Sequence, residues 1–193
     1  MERAEAPGVA ETRHRMANNQ QLLAALARLR AQRSSEPEAA RQLLWIADAI
    51  GLLGVLERRR ADGGVDFAAL LAEMAPIWRR RYAPKAELVI VADDVVAPDA
   101  QAATLALIVQ ELTANALIHG RPIGAEGRVE VRISTSDGRF VLEVTDQGPG
   151  LAAGAPEERF GLWLVRSLAG QARGAFTLEG GFAGAVARLE APL

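Results

Sequence analysis

Apolar residues recur at helical intervals over two segments near the start of the chain. The first segment, residues 11–32, has arginines between its apolar positions and predicts one helix. Its apolar positions are Met16, Leu22, Leu23, Leu26 and Leu29. The second segment follows residues 34–38, where serines, a proline suited to a first helical turn and early acidic residues mark a helix start. This helix is predicted to continue through Leu56 to a basic end at residues 58–60.

The short connection between the two predicted helices makes them a hairpin. Each helix has an apolar face too wide to be covered by the other helix alone, and dimerisation into a four-helix bundle would bury the remainder. The alternative is a helical appendage packed on its own domain. Asp62, Gly63 and Gly64 indicate the end of the hairpin and a domain boundary. We therefore predict a hairpin domain over residues 1–62 and a second domain over residues 63–193.

Helical and strand-like patterns alternate through the rest of the chain. Helices are predicted over residues 67–82, 99–119 and 161–171, and strands over residues 87–92, 128–135, 139–145, 175–179 and 185–190. Asp137 and Gly138 form a strong hairpin-turn signal between two of the strands. The predicted fold class is α+β, with one mixed sheet covered by helices on one face.

Composition and charge narrow the classes of protein. A chain that is 50% hydrophobic and 24% charged is expected to fold. Its net charge of −2 argues against nucleic acid or an anionic membrane surface as a partner. The absence of cysteine and the presence of only two histidines argue against disulfides and a nitrogen-ligated metal cluster. With no uninterrupted apolar run of about 20 residues and no apolar signal region, a cytoplasmic location without membrane insertion is expected.

Three polar residues share one face of the helix predicted over residues 99–119. Glu111, Asn115 and His119 follow one another at intervals of four, and the opposite face is predicted to be apolar, through Leu105, Ile108, Leu112 and Leu117. Such a polar stripe on a buried helix requires something polar above it, and a magnesium-bound phosphate chain would meet that need. A solvated helix face is the structural alternative.

Two glycine-containing segments follow this helix. Asp146 ends a hydrophobic strand and is followed by Gly148 and Gly150, so that a carboxylate able to accept from an adenine amine lies where a flat ring can approach the backbone. Gly161 then opens a helix, whose first amides can bind phosphate oxygens. Each of these two segments is also common in ordinary turns and helix starts.

The order of these blocks resembles the GHKL ATPases, which share the Bergerat ATP-binding fold. Residues 110–120, with Glu111, Asn115 and His119, look like the N box of that family. Residues 146–150 look like its G1 box, and residues 161–165, Gly-Leu-Trp-Leu-Val, look like its G2 box. Residues 11–21, Glu-Thr-Arg-His-Arg-Met-Ala-Asn-Asn-Gln-Gln, resemble the phospho-acceptor segment of the HWE-like histidine kinases, a subgroup marked by H-R-x-x-N-N.

That resemblance implies ATP and Mg²⁺ as cofactors and a role for each matching residue. His14 would accept the γ-phosphoryl group, Asn115 would hold Mg²⁺, and Glu111 would orient or deprotonate the acceptor and possibly touch the metal. The residues implied in nucleotide binding are Asn115, His119, Asp146, Gly148, Gly150, Gly161 and Leu162. Glu11 also lies on the helical face of His14 and could polarise its ring, so which carboxylate serves stays open. Arg15 is a candidate to steady the phosphoryl group, with a solvated helix charge as its alternative.

The sequence departs from the family pattern at two places. Ile118 stands where the N box often has a basic residue. The segment between Gly150 and Gly161 is short and contains one glycine, Gly154, which predicts a short lid and weak or rapidly exchanging nucleotide. The ten residues before Glu11 are too few for a sensory domain, so we expect either a separate sensor protein or a chain that is a fragment.

Three functions remain open at this point. The first is a two-component histidine kinase core, a homodimer that phosphorylates His14 from ATP and passes the group to an aspartate on a response-regulator receiver domain. The second is an ATP-independent phosphotransfer or regulatory binding module with a degenerate ATPase domain, to which Ile118 and the short lid lend weight. The third is a protein serine kinase of the anti-sigma type, which needs neither the hairpin nor His14.

Overall fold

A computed structural model describes residues 7–61, 63–120, 126–150, 160–181 and 184–193. The chain divides into two compact units, Met1–Arg60 and Ala61–Leu193. We call the first the hairpin unit and the second the sheet unit. The functions predicted for the two parts of the chain remain predictions.

The hairpin unit consists of two long helices, α1 (Pro7–Gln32) and α2 (Pro37–Arg59). Pro37 occupies the first turn of α2, where its missing N–H group costs no hydrogen bond. The amides of Arg33 and Ser34 donate to carbonyls of the last turn of α1, at 3.2 Å and 3.1 Å, and so close its C-terminal end. The two helices predicted from apolar spacing are therefore present, with α1 beginning four residues earlier than predicted.

Small residues form the contact between α1 and α2. Ala17, Ala24 and Ala31 recur every seven positions along α1 and are all buried. On α2, Gly54 is buried, and a Cβ placed on it would lie 3.7 Å from the carbonyl oxygen of Ala17. Because these side chains are short, the two backbones approach each other closely at these positions.

The large apolar side chains of α1 lie outside this contact. Leu22 is 61% exposed, and its neighbours on the helix are similarly exposed. The exposed set is Met16, Leu22, Leu23, Leu26 and Leu29. A single hairpin thus leaves uncovered the apolar residues from which α1 was predicted.

The described part of the sheet unit contains three helices and the strands of the fold. Its helices are α3 (Phe67–Tyr82), α4 (Asp99–His119) and α5 (Phe160–Gln171). The strands in chain order are β1 (Arg60–Ala61), β2 (Gly64–Asp66), β3 (Glu87–Ala92), β4 (Val96–Ala97), β5 (Arg128–Ser136), β6 (Arg139–Asp146), β7 (Ala175–Gly181) and β8 (Gly184–Pro192). The short strands β1, β2 and β4 were not predicted, and β2 pairs antiparallel with β4.

The main sheet has five strands in the order β3-β5-β6-β8-β7. The first pair is parallel and the other three pairs are antiparallel, which confirms the predicted mixed sheet. Asp137 and Gly138 join β5 to β6 with φ angles of +50° and +70°, the conformation that a two-residue hairpin turn requires. The α+β class follows from this sheet and its helices.

The two faces of the main sheet differ in chemistry. Buried residues at alternate positions form one face, which α3, α4 and α5 cover. Across the other face Arg132, Glu143 and Arg188 lie in register on β5, β6 and β8. Arg188 pairs with Glu143 at 3.6 Å and with Glu190 at 2.9 Å. The helices therefore cover one face, as the alternation of apolar and polar residues predicted.

Two helices are long and apolar enough to cross a membrane by length and composition alone, α2 and α4. Helix α4 is largely buried inside the sheet unit, as a core helix is. Such a match is weak support for a membrane span, and the predicted cytoplasmic location stays a prediction.

Candidate functional site

A cleft of about 390 Å³ opens in the sheet unit between α4, α5 and the ends of the strands. This is within the size range of small-molecule sites, about 300–1,000 Å³. Its walls are Leu112, Asn115, Ala116, His119, Val144, Asp146, Pro149, Gly150, Gly161, Leu162, Leu178, Ala185 and Ala187. Apolar side chains predominate and a few polar groups converge on them, as expected of a site for a partly apolar ligand.

Asp146 is the carboxylate of the cleft, and two backbone amides hold it. It lies at the end of β6, where its Oδ1 accepts from the amide of Gly148 at 2.8 Å and from the amide of Ala185 at 3.2 Å. Gly120 ends α4 against it, since a Cβ on Gly120 would lie 2.3 Å from the Asp146 Cβ. The carboxylate is thereby fixed through one oxygen, while the other oxygen can meet a donor on a ligand.

The start of α5 lies against the polar residues of α4. A Cβ on Gly161 would be 3.2 Å from Oε2 of Glu111, 3.4 Å from Nδ2 of Asn115 and 3.8 Å from its Oδ1. Glu111 is buried, with 5% of its surface exposed, whereas Asn115 is half-buried and lines the cleft. Two side-chain oxygens thus converge on the first turn of α5, whose backbone amides favour negative charge.

Gly150 closes the loop after β6 in a conformation that favours glycine. Its φ is +72°, and a Cβ there would lie 1.8 Å from the carbonyl oxygen of Gly181. Gly148 is buried and acts through the hydrogen bond that its amide donates to Asp146. Glycine is required at position 150 both by the backbone angle and by the close approach of β7.

The cleft brings together six of the residues predicted to bind nucleotide. These are Asn115, His119, Asp146, Gly150, Gly161 and Leu162, with Gly148 behind Asp146 and Glu111 behind Gly161. The apolar side of the cleft, which includes Leu112, Ala116, Ala185 and Ala187, was not predicted. The assignment of Leu112 to the face opposite the polar residues was wrong, because α4 is buried on nearly all sides and Leu112 lines the cleft. The spacing of Leu112 and Ala116 on α4, and of Ala185 and Ala187 on β8, is the signal that could have found this wall.

His14 lies on α1 in the hairpin unit, and its ring is exposed. The Nδ2 atom of Asn18 lies 3.1 Å from its Nδ1 atom. Glu11, one of the two carboxylates that could act on this ring, pairs with Arg15 at 2.6 Å, and both of these side chains are exposed. The side chain that contacts the ring is therefore the amide of Asn18, to which no role was predicted.

The two places where the sequence departs from the family pattern are Ile118 and the segment between Gly150 and Gly161. Ile118 is 41% exposed near the C-terminal end of α4. The predicted short lid, with Gly154, lies outside the described residues.

Comparisons with known proteins connect this fold to histidine kinases. Residues 82–175 match the family model of the histidine kinase-like ATPase domain. The sensor histidine kinase PdtaS of Mycobacterium tuberculosis is 30% identical over 169 residues, which cover 83% of this chain and 34% of PdtaS. The chain therefore spans about a third of the length of this curated relative.

Solved structures give the same fold. The histidine kinase domain of the EL346 blue-light activated histidine kinase of Erythrobacter litoralis has a TM-score of 0.72 at 20% identity, covering 91% of this chain and 96% of that domain. The longer EL346 structure gives 0.76 at 23% identity, covering 99% of this chain and 61% of that one. Full-length ShkA in complex with AMPPNP gives 0.53 at 22% identity, covering 96% of this chain and 45% of ShkA.

Proposed function

We propose that this chain, whose residues 82–175 form a histidine kinase-like ATPase domain, is the core of an HWE-like two-component histidine kinase. In this proposal the sheet unit binds ATP and Mg²⁺, and His14 accepts the γ-phosphoryl group. The group then passes to an aspartate on a response-regulator receiver domain. The observation that carries the proposal is the convergence of Asn115, Asp146 and Gly161 on one cleft, in a chain that also presents an exposed histidine on a helical hairpin.

Asp146 recognises the adenine in this proposal. Its Oδ1 already accepts two backbone hydrogen bonds, so its position does not depend on the ligand. The remaining oxygen accepts from the exocyclic amine, and the adenine ring lies against apolar walls that include Leu112 and Leu178. A preset acceptor of this kind loses little conformational entropy on binding.

The phosphate end of ATP lies toward the first turn of α5. Among the described residues no group of three or more His, Cys, Asp or Glu could hold a metal unaided. Mg²⁺ suits such a place, since it takes oxygen ligands and is commonly held by one or two side chains together with substrate phosphates. Asn115 would supply one ligand, Glu111 is the candidate for a second, and the bound ion would neutralise phosphate charge. The amides at the start of α5 supply further positive potential, and the His119 ring can donate a hydrogen bond to the nucleotide.

Phosphoryl transfer requires His14 as a neutral nucleophile. A ring nitrogen lone pair forms the bond to the γ-phosphorus while the bond to the β,γ-bridging oxygen breaks and ADP leaves. Glu111 remains a candidate to orient or deprotonate the acceptor. Glu11 and Arg15 pair with each other, so either acts on His14 only after that exposed ion pair opens.

The exposed apolar face of α1 supports a homodimer. Five large apolar side chains lie outside the contact between α1 and α2, and a second hairpin would cover them in a four-helix bundle. A cytoplasmic location, no membrane insertion, no nucleic-acid partner and a separate sensor protein complete the proposal.

The test is incubation of the purified chain with Mg²⁺ and γ-labelled ATP, beside His14→Ala and Asn115→Ala variants. We expect acid-labile, base-stable label on the wild type and none on either variant. Label that persists in His14→Ala would mean that a residue other than His14 is the acceptor. A folded wild type that takes no label, and accepts phosphate only from a phosphorylated regulator, would instead favour the ATP-independent phosphotransfer module.

A further inference from the structure

The contact between Asn18 and His14 determines which ring nitrogen is free to react. Asn18 lies one helical turn after His14, and its amide meets Nδ1 at 3.1 Å. The structure describes no other hydrogen bond to the ring within residues 7–61, 63–120, 126–150, 160–181 and 184–193. Since Nδ1 is occupied, Nε2 is the nitrogen left to meet a phosphoryl donor.

The tautomer of a neutral imidazole depends on what its other nitrogen binds. With Nδ2 of Asn18 toward the ring, the amide donates to the lone pair of Nδ1, and the ring proton is on Nε2. In that form Nε2 has no lone pair for attack. Rotation of the amide by half a turn places Oδ1 at the same position, where it accepts from Nδ1–H and leaves the Nε2 lone pair free.

We propose that Asn18 is a positioning residue for phosphoryl transfer. The orientation of its amide selects the His14 tautomer and so determines whether Nε2 has a lone pair with which to attack the γ-phosphorus. This inference rests on the proposed function of His14. In the open form the Nε2 lone pair forms the bond to the γ-phosphorus, the bond to the β,γ-bridging oxygen breaks, and ADP carries away that electron pair. The proton on Nδ1 stays on the ring, bound to Oδ1 of Asn18.

An amide suits this position better than a carboxylate. Asn can donate to a bare Nδ1 and accept from a protonated one, whereas Asp can only accept. A carboxylate at position 18 would also pair with the charged imidazolium, a form of the ring that has no lone pair for attack. Because Glu11 pairs with Arg15, the described contacts place no carboxylate on this ring.

The test uses the full chain labelled with ¹⁵N in histidine, so that only two rings, His14 and His119, give signals. Long-range ¹H–¹⁵N spectra, recorded about two pH units above the ordinary pKa of imidazole, report the tautomer of each ring. We expect Asn18→Ala to change the His14 tautomer ratio by about two- to tenfold, the range for one exposed hydrogen bond. Asn19→Ala removes a neighbouring amide from another face of α1 and should leave the His14 spectrum unchanged.

Kinetics distinguish a positioning role from a structural one. We expect Asn18→Ala to lower kcat for autophosphorylation while KM for ATP stays constant, because the nucleotide cleft is built from the sheet unit. Asn18→Asp, whose carboxylate can accept from Nδ1–H, should recover part of the labelling that Asn18→Ala loses.

The outcomes separate this inference from the proposed function. Normal labelling of Asn18→Ala with an unchanged His14 spectrum would overturn the role of Asn18 and leave the kinase intact. A wild type that binds nucleotide but takes no label on His14 would overturn the proposed function, and the role of Asn18 in transfer with it.

Discussion

Gly161, at the start of α5, lies so close to Glu111 of α4 that a Cβ on the glycine would be 3.2 Å from the Glu111 Oε2 atom. The same Cβ would meet the Asn115 amide at 3.4 Å. The absence of a side chain at position 161 therefore leaves room between the first turn of α5 and the polar residues of α4.

Gly161→Ala is expected to weaken nucleotide binding by about tenfold or more, since about 1.4 kcal/mol corresponds to a factor of ten. The added methyl group pushes against Glu111 and Asn115, and titration calorimetry with a nucleotide analogue measures the loss. Gly170→Ala is the matched control on the same helix, where a Cβ meets nothing within 4 Å. It should leave affinity unchanged and raise the free energy of unfolding by about 0.5–1 kcal/mol. Equal affinity in both variants would contradict the proposed packing.

Asp146→Asn is expected to reduce nucleotide affinity with little loss of thermal stability. The amide oxygen of Asn can still accept from Gly148 and Ala185, so the loop keeps its hydrogen bonds, while recognition of the adenine amine is weakened. Asp146→Ala should lose the loop hydrogen bonds as well as adenine recognition, and its free energy of unfolding should fall by about 1–3 kcal/mol. Thermal denaturation beside a binding assay distinguishes the two. Asp137→Asn, in the exposed β5–β6 turn, is the control and should alter neither property.

Gly150→Ala and Gly138→Ala separate backbone strain from close packing. Both glycines have φ near +70°, and a Cβ on Gly138 meets nothing within 4 Å whereas one on Gly150 meets the Gly181 carbonyl at 1.8 Å. Gly138→Ala should cost about 1–2 kcal/mol for its φ alone. Gly150→Ala should cost more and also reduce nucleotide binding. Chemical denaturation measures both, and equal costs would mean that the loop moves away from β7 freely.

Leu22→Glu combined with Leu26→Glu is expected to convert a dimer into a monomer. These side chains are more than half exposed in one hairpin, so burying a charge at each place in a bundle is costly while the isolated chain is barely affected. Light scattering at micromolar concentration gives the molecular mass. Gln21→Glu adds a charge to the same helix and is the control. A wild-type chain that is already monomeric would remove the bundle.

Ala24→Leu is expected to destabilise the hairpin unit by about 1–3 kcal/mol, because it adds volume to a closely packed contact. Ala24 is 1% exposed, whereas the adjacent Ala25 is exposed, which makes Ala25→Leu a control of identical chemistry. Helicity followed through denaturation by circular dichroism should show the first variant weakened and the second near wild type.

Periodicity predicted most of the elements because the physical cause is local. The bounds of α3, β3 and α4 agree with the predicted ranges, and Asp137 and Gly138 adopt the φ angles that their turn signal implied. The small strands β2 and β4 escaped prediction because two or three residues carry no measurable period. Their pairing depends on residues about thirty positions apart.

The cleft was predictable in its polar residues and not in its walls. Asn115, Asp146 and Gly161 stood out because their order along the chain resembles the boxes of the GHKL ATPases, whereas each segment alone has ordinary structural uses. Leu112 was assigned to the wrong side, since a helix buried on nearly all sides offers no amphipathic contrast by which a sequence can orient it. The contact of Asn18 with His14 follows from an interval of four on a helix, yet choosing it over Glu11 required the Glu11–Arg15 pair to be seen.

The sequence by itself determined the order of helices and strands, the α+β class and the set of polar residues that could serve a nucleotide. These depend on local propensity and on spacing along the chain. Only the tertiary structure decided that alanines of α1 are buried while its leucines are exposed, and that Glu111 lies behind Gly161 while Asn115 lines the cleft. Those facts depend on distances between residues far apart in sequence, which close packing determines and periodicity does not encode.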